Sequence, residues 1–238
     1  MEFKLFLREP MAAFFTLAFP LLLLFVFGSA FGNEPTQRYG GYGYVDIAVP
    51  AFSAMIIATS GIFGIGITLA TYRETGILRR FHLTPLRPIA VLNAQTFVIF
   101  AMSGLGMILL AICGKLAYGL RSPENWLSVA AAFTLGSASF FALGFVVAGL
   151  VPTARTAHIV GMVLFYPMLF LSGAAFPREL LPEAVRRFAV ILPLTHVVSL
   201  LRGTWAGDPW SSHLAEVGVL VAMIAAGIAI SARTFRWE

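Results

Sequence analysis

Long apolar segments, separated from one another by shorter polar ones, make up almost the whole chain. Each apolar segment has the roughly 20 residues that a helix needs to cross the hydrocarbon core of a bilayer. Within the segments the apolar residues are continuous and do not alternate with polar ones, as they would in the strands of a transmembrane barrel. The pattern predicts an all-α membrane protein in which residues 1–238 form a single transmembrane domain. The six predicted transmembrane helices are residues 11–31, 47–70, 89–116, 127–151, 157–176 and 214–232.

The longest polar interruption in the first half of the chain is Thr71–Pro88. Its apolar residues Ile77, Leu78 and Phe81 fall on one face of a helix, and the prolines at its end would close that helix. We therefore predict a short amphipathic helix between spans 2 and 3. We interpret this segment as the surface by which the membrane protein contacts a partner in the cytoplasm. The charged residues of the segment are Arg73, Glu74, Arg79, Arg80 and Arg87.

Between spans 5 and 6, Pro177–Pro209 is neither a full span nor an ordinary loop. Pro182 opens an amphipathic segment that Pro193 breaks, and a second segment ends at Arg202-Gly203. Each segment has about 11 residues and would reach about halfway across a bilayer. Such segments are tolerated at membrane depth when they pack against protein or line a wet cavity. We predict a re-entrant or interfacial helical hairpin here.

Composition agrees with this class, because 59% of the residues are hydrophobic and 11% are charged, against about 25% charged in soluble domains. The net charge of +5 fits basic loops that face the cytoplasm and anionic membrane lipid, so nucleic acid is not expected as a partner. With both termini and Thr71–Pro88 inside, nine basic residues lie on the inner side and three lie in short outer loops. The arginines of Pro177–Pro209 are set aside because they sit on the amphipathic hairpin. The sequence predicts a plasma-membrane protein with both termini in the cytoplasm.

The sequence carries no motif for catalysis or nucleotide binding. The glycine-rich segment Asn33–Asp46 lacks the Gly-Lys-Ser/Thr ending of a phosphate-binding loop. The four histidines show no ligand spacing on one helix, so no metal site is expected. Glu216 is the only acid placed to carry a proton near a span, which gives little support to a proton-driven carrier. We therefore expect no enzyme activity and no cofactor in this chain, and an energy source outside it.

Small residues in span 2 indicate where another helix can approach closely. They are Gly61, Gly64 and Gly66.

Several stretches resemble the ABC-2 type permeases, which are the membrane subunits of ATP-binding-cassette exporters. Residues 74–85, ETGILRRFHLTP, look like the cytosolic coupling segment of that family. The end of span 5, LSGAAFP at residues 171–177, with prolines following at 182 and 193, resembles the segment before the family's outer helical hairpin. Arg8-Glu9-Pro10 resembles the family's entry to span 1. The likeness covers essentially the whole chain through its number of spans, loop order and hairpin position.

The resemblance implies a permease subunit that pairs with a second permease, as a homodimer or heterodimer, and docks a cytosolic ATPase. That partner, and not this chain, would bind ATP and magnesium. The coupling segment would transmit closure of the ATPase to the spans. The residues expected to do so are Glu74, Gly76, Arg79, Arg80 and Phe81. The residues expected to shape the outer hairpin are Pro177, Pro182, Arg186, Pro193 and Arg202.

The resemblance also implies export, because members of the family move drugs, antibiotics, lipids and polysaccharides. Drug efflux and antibiotic resistance are the expected roles. The route would follow the subunit interface, where Pro20, Pro50 and Pro167 and the small residues of span 2 would allow a path to open. Walls rich in Phe and Met would suit a hydrophobic or amphipathic cargo such as a drug, an antibiotic or a lipid-like compound.

Three other interpretations stay open at this level. The chain could be a multispan membrane enzyme acting on lipid, with Arg186, Arg187, His196 and Asp208 at the outer interface. It could be a passive channel, although no span shows the polar ring that a filter needs. The basic segment Thr71–Pro88 could also be a positively charged anchor on the inner side with no protein partner.

Overall fold

The computed structural model of the chain describes residues 14–77, 88–175 and 182–234. Within these ranges the regular structure is helical, which confirms the predicted all-α class. Short π turns lie at Phe14–Ala18 and Ser60–Ile65, and 3-10 turns lie at Gln37–Tyr39 and Trp210–His213. The α-helices are α1 (Phe19–Phe31), α2 (Tyr44–Thr59), α3 (Gly66–Glu74), α4 (Pro88–Tyr118), α5 (Trp126–Leu150), α6 (Ala154–Leu171), α7 (Glu183–Ala189), α8 (Pro193–Ala206) and α9 (Leu214–Thr234).

Helices long and apolar enough to cross a membrane account for most of the described chain. Within the first predicted span, the apolar helix Thr16–Phe31 is shorter than the others. Helices α7 and α8 pass the same test only as a pair, and they are bent by 96° relative to each other. A pair bent this sharply is a broken or re-entrant segment, and it lies where the sequence predicts a hairpin. The five stretches that pass by themselves are Tyr44–Glu74, Leu92–Tyr118, Trp126–Leu150, Ala154–Leu171 and Trp210–Thr234.

The continuous helix Tyr44–Glu74, made of α2, the π turn and α3, is the centre of the fold. In the most apolar 18-residue stretch of this helix, 83% of the residues are buried inside the protein. In the corresponding stretch of Trp210–Thr234, 11% of the residues are buried. A helix that is apolar on all sides and buried belongs in a core, whereas a helix buried on a narrow stripe lies at the periphery. Helices α1, α4, α5, α6 and α8 pack around this central helix, and α5 lies against both its π turn and α9.

Pro20 lies at the beginning of α1 and not in the middle of an unbroken helix. The π turn Phe14–Ala18 comes directly before it. Proline is tolerated in the first turn of an α-helix because its missing N–H would have no partner there. The first span therefore changes helix type directly before Pro20, whereas Pro50 and Pro167 lie inside α2 and α6.

The second half of the hairpin, α8, is longer than predicted. It ends at Ala206 and not at Arg202-Gly203. Gly207 follows it with a left-handed backbone (φ 90°), and its N–H is directed to the carbonyls of Gly203 and Thr204. A left-handed glycine after the last helical residue is a common way for a helix to end. Gly203 stays helical and serves a close contact described below.

Candidate functional site

The polar segment after the central helix begins later than the sequence indicates, because α3 continues through Thr71 to Glu74. The hydroxyl of Thr71 donates to the carbonyl of Ile67 (2.9 Å), and the hydroxyl of Thr75 donates to the carbonyl of Thr71 (2.7 Å). Gly76 then turns the chain with a left-handed backbone (φ 68°), which glycine adopts without steric cost. Helix α3 therefore ends at Glu74, the first residue of the segment predicted to couple.

Arg73 binds the carboxyl end of a neighbouring helix. Its Nη1 donates to the carbonyls of Ala148 (2.9 Å) and Gly149 (3.2 Å), and its Nη2 donates to the carbonyl of Val151. These carbonyls belong to the last turn of α5 and the residue after it, where carbonyl groups have no partner within the helix. The cation also lies at the negative end of the α5 dipole.

Glu74, the next residue, binds the amino end of the following helix. Its Oε2 accepts a hydrogen bond from the backbone N–H of Ala154, the first residue of α6 (2.8 Å). Thr153 caps the same helix by accepting from the N–H of Thr156 (3.2 Å). The acid lies at the positive end of the α6 dipole. Two adjacent residues of opposite charge thus join the end of the central helix to both sides of the α5–α6 turn.

Among the residues predicted to couple, Glu74 and Gly76 lie in this region. Arg79, Arg80 and Phe81, together with the predicted amphipathic helix, lie outside the described residues. Pro177 of the predicted hairpin set lies outside them as well. The role of these residues therefore stays a prediction.

The opposite end of the central helix is organised by Asp46, a buried carboxylate in the first turn of α2. Oδ1 of Asp46 accepts from the side-chain amide of Asn33 (3.2 Å) and from the backbone N–H of Arg121 (2.9 Å). Oδ2 accepts from the N–H of Gly43 (3.1 Å) and lies 3.5 Å from Nε of Arg121. A carboxylate held by several N–H donors tolerates burial. Asp46 thereby joins the α1–α2 loop, the start of α2 and the α4–α5 loop.

Two residues of α8 attach the hairpin to this end of the molecule. Arg202 donates from Nε to the carbonyl of Ile47 (3.1 Å) and from Nη2 to the carbonyl of Gly173 (3.2 Å). The indole N–H of Trp205 donates to the carbonyl of Arg121 (2.9 Å). The hairpin is thus hydrogen-bonded to the start of α2, to the chain after α6 and to the α4–α5 loop.

A cavity of about 670 Å³ opens beside the hairpin at this end. Arg186 and Arg202 line it, while Pro182 directly precedes α7 and Pro193 begins α8. The lining of the cavity carries charged groups of both signs. Its charged and histidine lining consists of Asp46, Arg121, Glu124, Arg186, Arg202, Asp208 and His213.

The residues considered for a lipid enzyme are not brought together. Arg186 and Asp208 line the cavity, but Arg187 forms an exposed ion pair with Glu183 (2.6 Å). A ring nitrogen of His196 lies 2.9 Å from the carbonyl of Val190. Within the described part of the chain, no group of three or more His, Cys, Asp or Glu side chains is placed to hold a metal ion.

The glycines of span 2 lie on or beside the π turn. Gly61 is packed against the backbone of Phe140 in α5, and Gly66 lies near Gly144, whose carbonyl oxygen would be 3.5 Å from an added Cβ atom. At Gly64 an added Cβ atom would lie 3.4 Å from the side chain of Ile99 in α4, which is an ordinary contact distance. Beside them the hydroxyl of Ser103 in α4 donates to that of Ser60 (2.7 Å), a buried polar contact within the spans.

Sequence reasoning missed Asp46, Arg121 and Trp205 as a network and Arg73 as a partner of α5. Asp46 and Arg121 are 75 residues apart, and no local pattern pairs them. An acid in the first turn of an apolar helix was the available signal for Asp46. For Arg73, the available signal was an arginine directly followed by a glutamate at the end of a span.

The helical spans, the bent hairpin and the absence of a strand in the described ranges define an α-helical integral membrane protein with several spans. The chain belongs to the ABC-2 type transporter family, whose sequence model matches residues 1–205.

Relatives of the chain agree with this assignment. Nodulation protein J of Rhizobium leguminosarum bv. viciae is 32% identical over 146 residues, which are 60% of this chain and 53% of that protein. Nodulation protein J of Rhizobium leguminosarum bv. trifolii is 30% identical over 214 residues, 86% of this chain and 78% of that protein. Putative transport permease ycf38 of Cyanophora paradoxa is 26% identical over 219 residues, 88% of this chain and 74% of that protein. The matches thus span between about half and about three quarters of these relatives.

ABC-2 permeases are the membrane subunits of ABC transporters and work with cytosolic ATP-binding subunits. Family membership therefore makes this chain a transport permease subunit embedded in the membrane.

Proposed function

We propose that this chain is the permease of an ATP-driven exporter that moves a hydrophobic or amphipathic compound out of the cell across the plasma membrane. A cytosolic ATPase binds ATP and magnesium, and a second permease, identical or related, completes the complex. The observation that carries the proposal is the Arg73–Glu74 pair. It joins the segment predicted to meet the ATPase to the ends of two further helices.

A displacement of the segment after Glu74 can be transmitted to three membrane helices. It reaches α3 through the backbone, α5 through Arg73 and α6 through Glu74. Packed helices shift as rigid bodies and do not deform continuously. Closure of the ATPase would therefore move the central helix, α5 and α6 together, and a single contact surface would be enough to drive them.

The proposed orientation puts the Arg73–Glu74 end in the cytoplasm and the cavity beside the hairpin outside. Arg155 in the first turn of α6 and Arg233 in the last turn of α9 lie near the same membrane side as Glu74 in this arrangement. Basic residues near the ends of spans favour the cytoplasmic side. Both termini are then cytoplasmic.

Exposed aromatic side chains support an apolar cargo route. Phe25 and Phe31 of α1 and Tyr166 and Phe170 of α6 are each between 44% and 57% exposed in the single chain. Such surfaces face lipid or a second permease. Between two permeases they would form apolar walls that accept hydrophobic compounds without fixed polar contacts.

The first test is purification of the chain from its native membrane in mild detergent, with mass measurement of the complex and identification of its components. We expect two permease chains with two P-loop ATPase chains. The variant E74A/R80A should keep ATP hydrolysis in reconstituted vesicles while transport falls. The matched control is Arg155→Gln, which removes an exposed charge at the same end and should transport normally.

Two results would contradict the proposal. A chain that purifies without any ATPase would remove the energy source. Lipid turnover by the purified chain alone would point to an enzyme instead. Normal transport by E74A/R80A would leave the exporter in place and remove only the coupling role of the segment.

A further inference from the structure

The connection between α8 and α9 contains a buried histidine that the proposed transport cycle does not use. His213 ends the turn Trp210–His213 and is 8% exposed. Its ring lies against the backbone of Gly203 in α8, where an added Cβ atom would collide with it. The lack of a side chain at residue 203 is therefore what allows the chain before α9 to fold back onto α8.

Two carboxylates face the two nitrogens of the His213 ring. Nε2 is 3.5 Å from Oδ2 of Asp208, and Nδ1 is 3.8 Å from Oε1 of Glu216. Neither nitrogen has a hydrogen-bond partner among the described residues. Glu216 is held in place by the hydroxyl of Ser199, which donates to its Oε1 (2.9 Å). One imidazole thus lies between an acid in the loop after α8 and an acid in α9.

The charge of the ring decides how many of these acids it can bind. A neutral imidazole has a single N–H, so one nitrogen can donate while the other presents a lone pair to a carboxylate. A protonated imidazole has two N–H groups and can donate to both acids in charge-assisted hydrogen bonds. Histidine is the side chain that ordinarily changes charge between about pH 5 and about pH 8.

We propose that His213 is a proton-responsive switch at the junction between the α7–α8 hairpin and α9. When the ring binds a proton, its two N–H groups donate to Asp208 and Glu216 and hold α9 against α8. When it loses the proton, one of these contacts is lost and the junction loosens. Arg202 hydrogen-bonds the hairpin to the carbonyls of Ile47 and Gly173. Because these bonds do not involve His213, loss of the proton changes the position of the hairpin relative to α9 and not relative to α2.

Other charged groups lie near the junction but are not the ones in contact with the ring nitrogens. His196 is close enough to act electrostatically on Glu216. Asp208 and Glu216 are the acids that approach the ring nitrogens directly. The remaining charged residues that line the cavity beside His213 are Asp46, Arg121, Glu124, Arg186 and Arg202.

The test measures the distance across the junction at two pH values. Spin labels are placed at Phe188 in α7 and Val221 in α9, both exposed, in a Cys113→Ser background and in lipid nanodiscs. The distance distribution should be narrow at about pH 5 and broad at about pH 8. His213→Gln should abolish this pH response. His196→Gln, which removes the neighbouring histidine of α8, should retain it.

A distribution in the unsubstituted junction that does not change with pH would overturn the proposal, and so would a response that survives in His213→Gln. If His213→Gln does not fold, Asp208→Asn provides a second test. Asp208 is about half exposed, and its replacement leaves the buried ring of His213 in place. It should reduce the pH response, and an unchanged response would also overturn the proposal. The measurement needs no transport or ATPase, so its outcome is independent of the exporter proposal.

Discussion

The carbonyl oxygen of Gly61 lies where the side chain of Gly144 would begin if that residue were not glycine. An added Cβ atom on Gly61 would in turn collide with the backbone of Phe140. The two glycines thus bring the π turn Ser60–Ile65 of the central helix into backbone contact with α5. Spans that lack a hydrophobic driving force between helices associate through such close packing of small residues.

Replacing either glycine by alanine should force the central helix and α5 apart. Gly61→Ala or Gly144→Ala should each cost about 1–3 kcal/mol of unfolding free energy, because the added methyl group meets backbone that cannot rotate away. Reversible unfolding in mixed micelles would measure the loss. Gly104→Ala and Gly218→Ala serve as controls, since an added Cβ atom at either position meets no described atom within 4 Å. Equal stability of Gly144→Ala and Gly104→Ala would disprove the steric account.

Neutral replacement of the Arg73–Glu74 pair should loosen the α5–α6 turn. Arg73→Gln removes donors from three carbonyls at the end of α5 and should cost about 2 kcal/mol. Glu74→Gln keeps an acceptor for the N–H of Ala154 but loses the favourable charge, so about 0.5 kcal/mol is expected. Faster amide exchange at Ala154 and Val151 would report the loosening. Arg155→Gln should leave both exchange rates unchanged, and a similar acceleration in that control would argue for a general charge effect.

Removal of the negative charge of Asp46 should destabilise the end of the molecule that carries the cavity. In Asp46→Asn one carboxylate oxygen becomes an amide that faces backbone N–H donors, so at least one buried donor loses its acceptor. We expect a loss of about 3 kcal/mol. Thermal unfolding of the purified chain would measure it, with Glu124→Gln as the control because Glu124 is an exposed acid in the adjacent α4–α5 loop. A loss no larger than that of the control would mean that Asp46 does not organise this end.

The proposed orientation predicts which loops an impermeant reagent reaches. In a Cys113→Ser background, a cysteine placed at Glu124 should react with a membrane-impermeant maleimide in intact cells. A cysteine placed at Thr75, which is also exposed, should react only after the membrane is opened. The same chain without cysteine is the control for background labelling. The reverse pattern would place the Arg73–Glu74 end outside and would exclude its contact with a cytosolic ATPase.

The helical class could be predicted from sequence because it depends on local properties. Continuous apolar runs, interrupted by proline and charge, indicate spans wherever they occur, and the bent pair α7–α8 lies where Pro182 and Pro193 indicated a hairpin. The prediction that α8 ends at Arg202-Gly203 was wrong because a glycine in a sequence usually indicates the end of a helix. Gly203 is instead required to be small by the ring of His213, ten residues further along the chain.

The candidate site was only partly accessible to such reasoning. Glu74 stood out through its resemblance to a coupling segment, but its acceptor role toward Ala154 depends on α6 lying next to the central helix. The carbonyls bound by Arg73 are 75 to 78 residues away along the chain. The smallness of Gly61 could be read from the sequence, whereas its partner Gly144 could not be assigned, because which spans are neighbours is decided by the packing of the whole bundle.

The order of Arg73 and Glu74 carries information that their composition does not. If the two residues exchanged places, the chain would keep its net charge, its hydropathy and its number of basic residues on each side of the membrane. The acid would then lie nearer the carbonyl end of α5 and the guanidinium nearer the amino end of α6, so both electrostatic contacts would change sign. A method that predicts topology by counting charges would treat the two chains as identical, although only one of them could join these three helices.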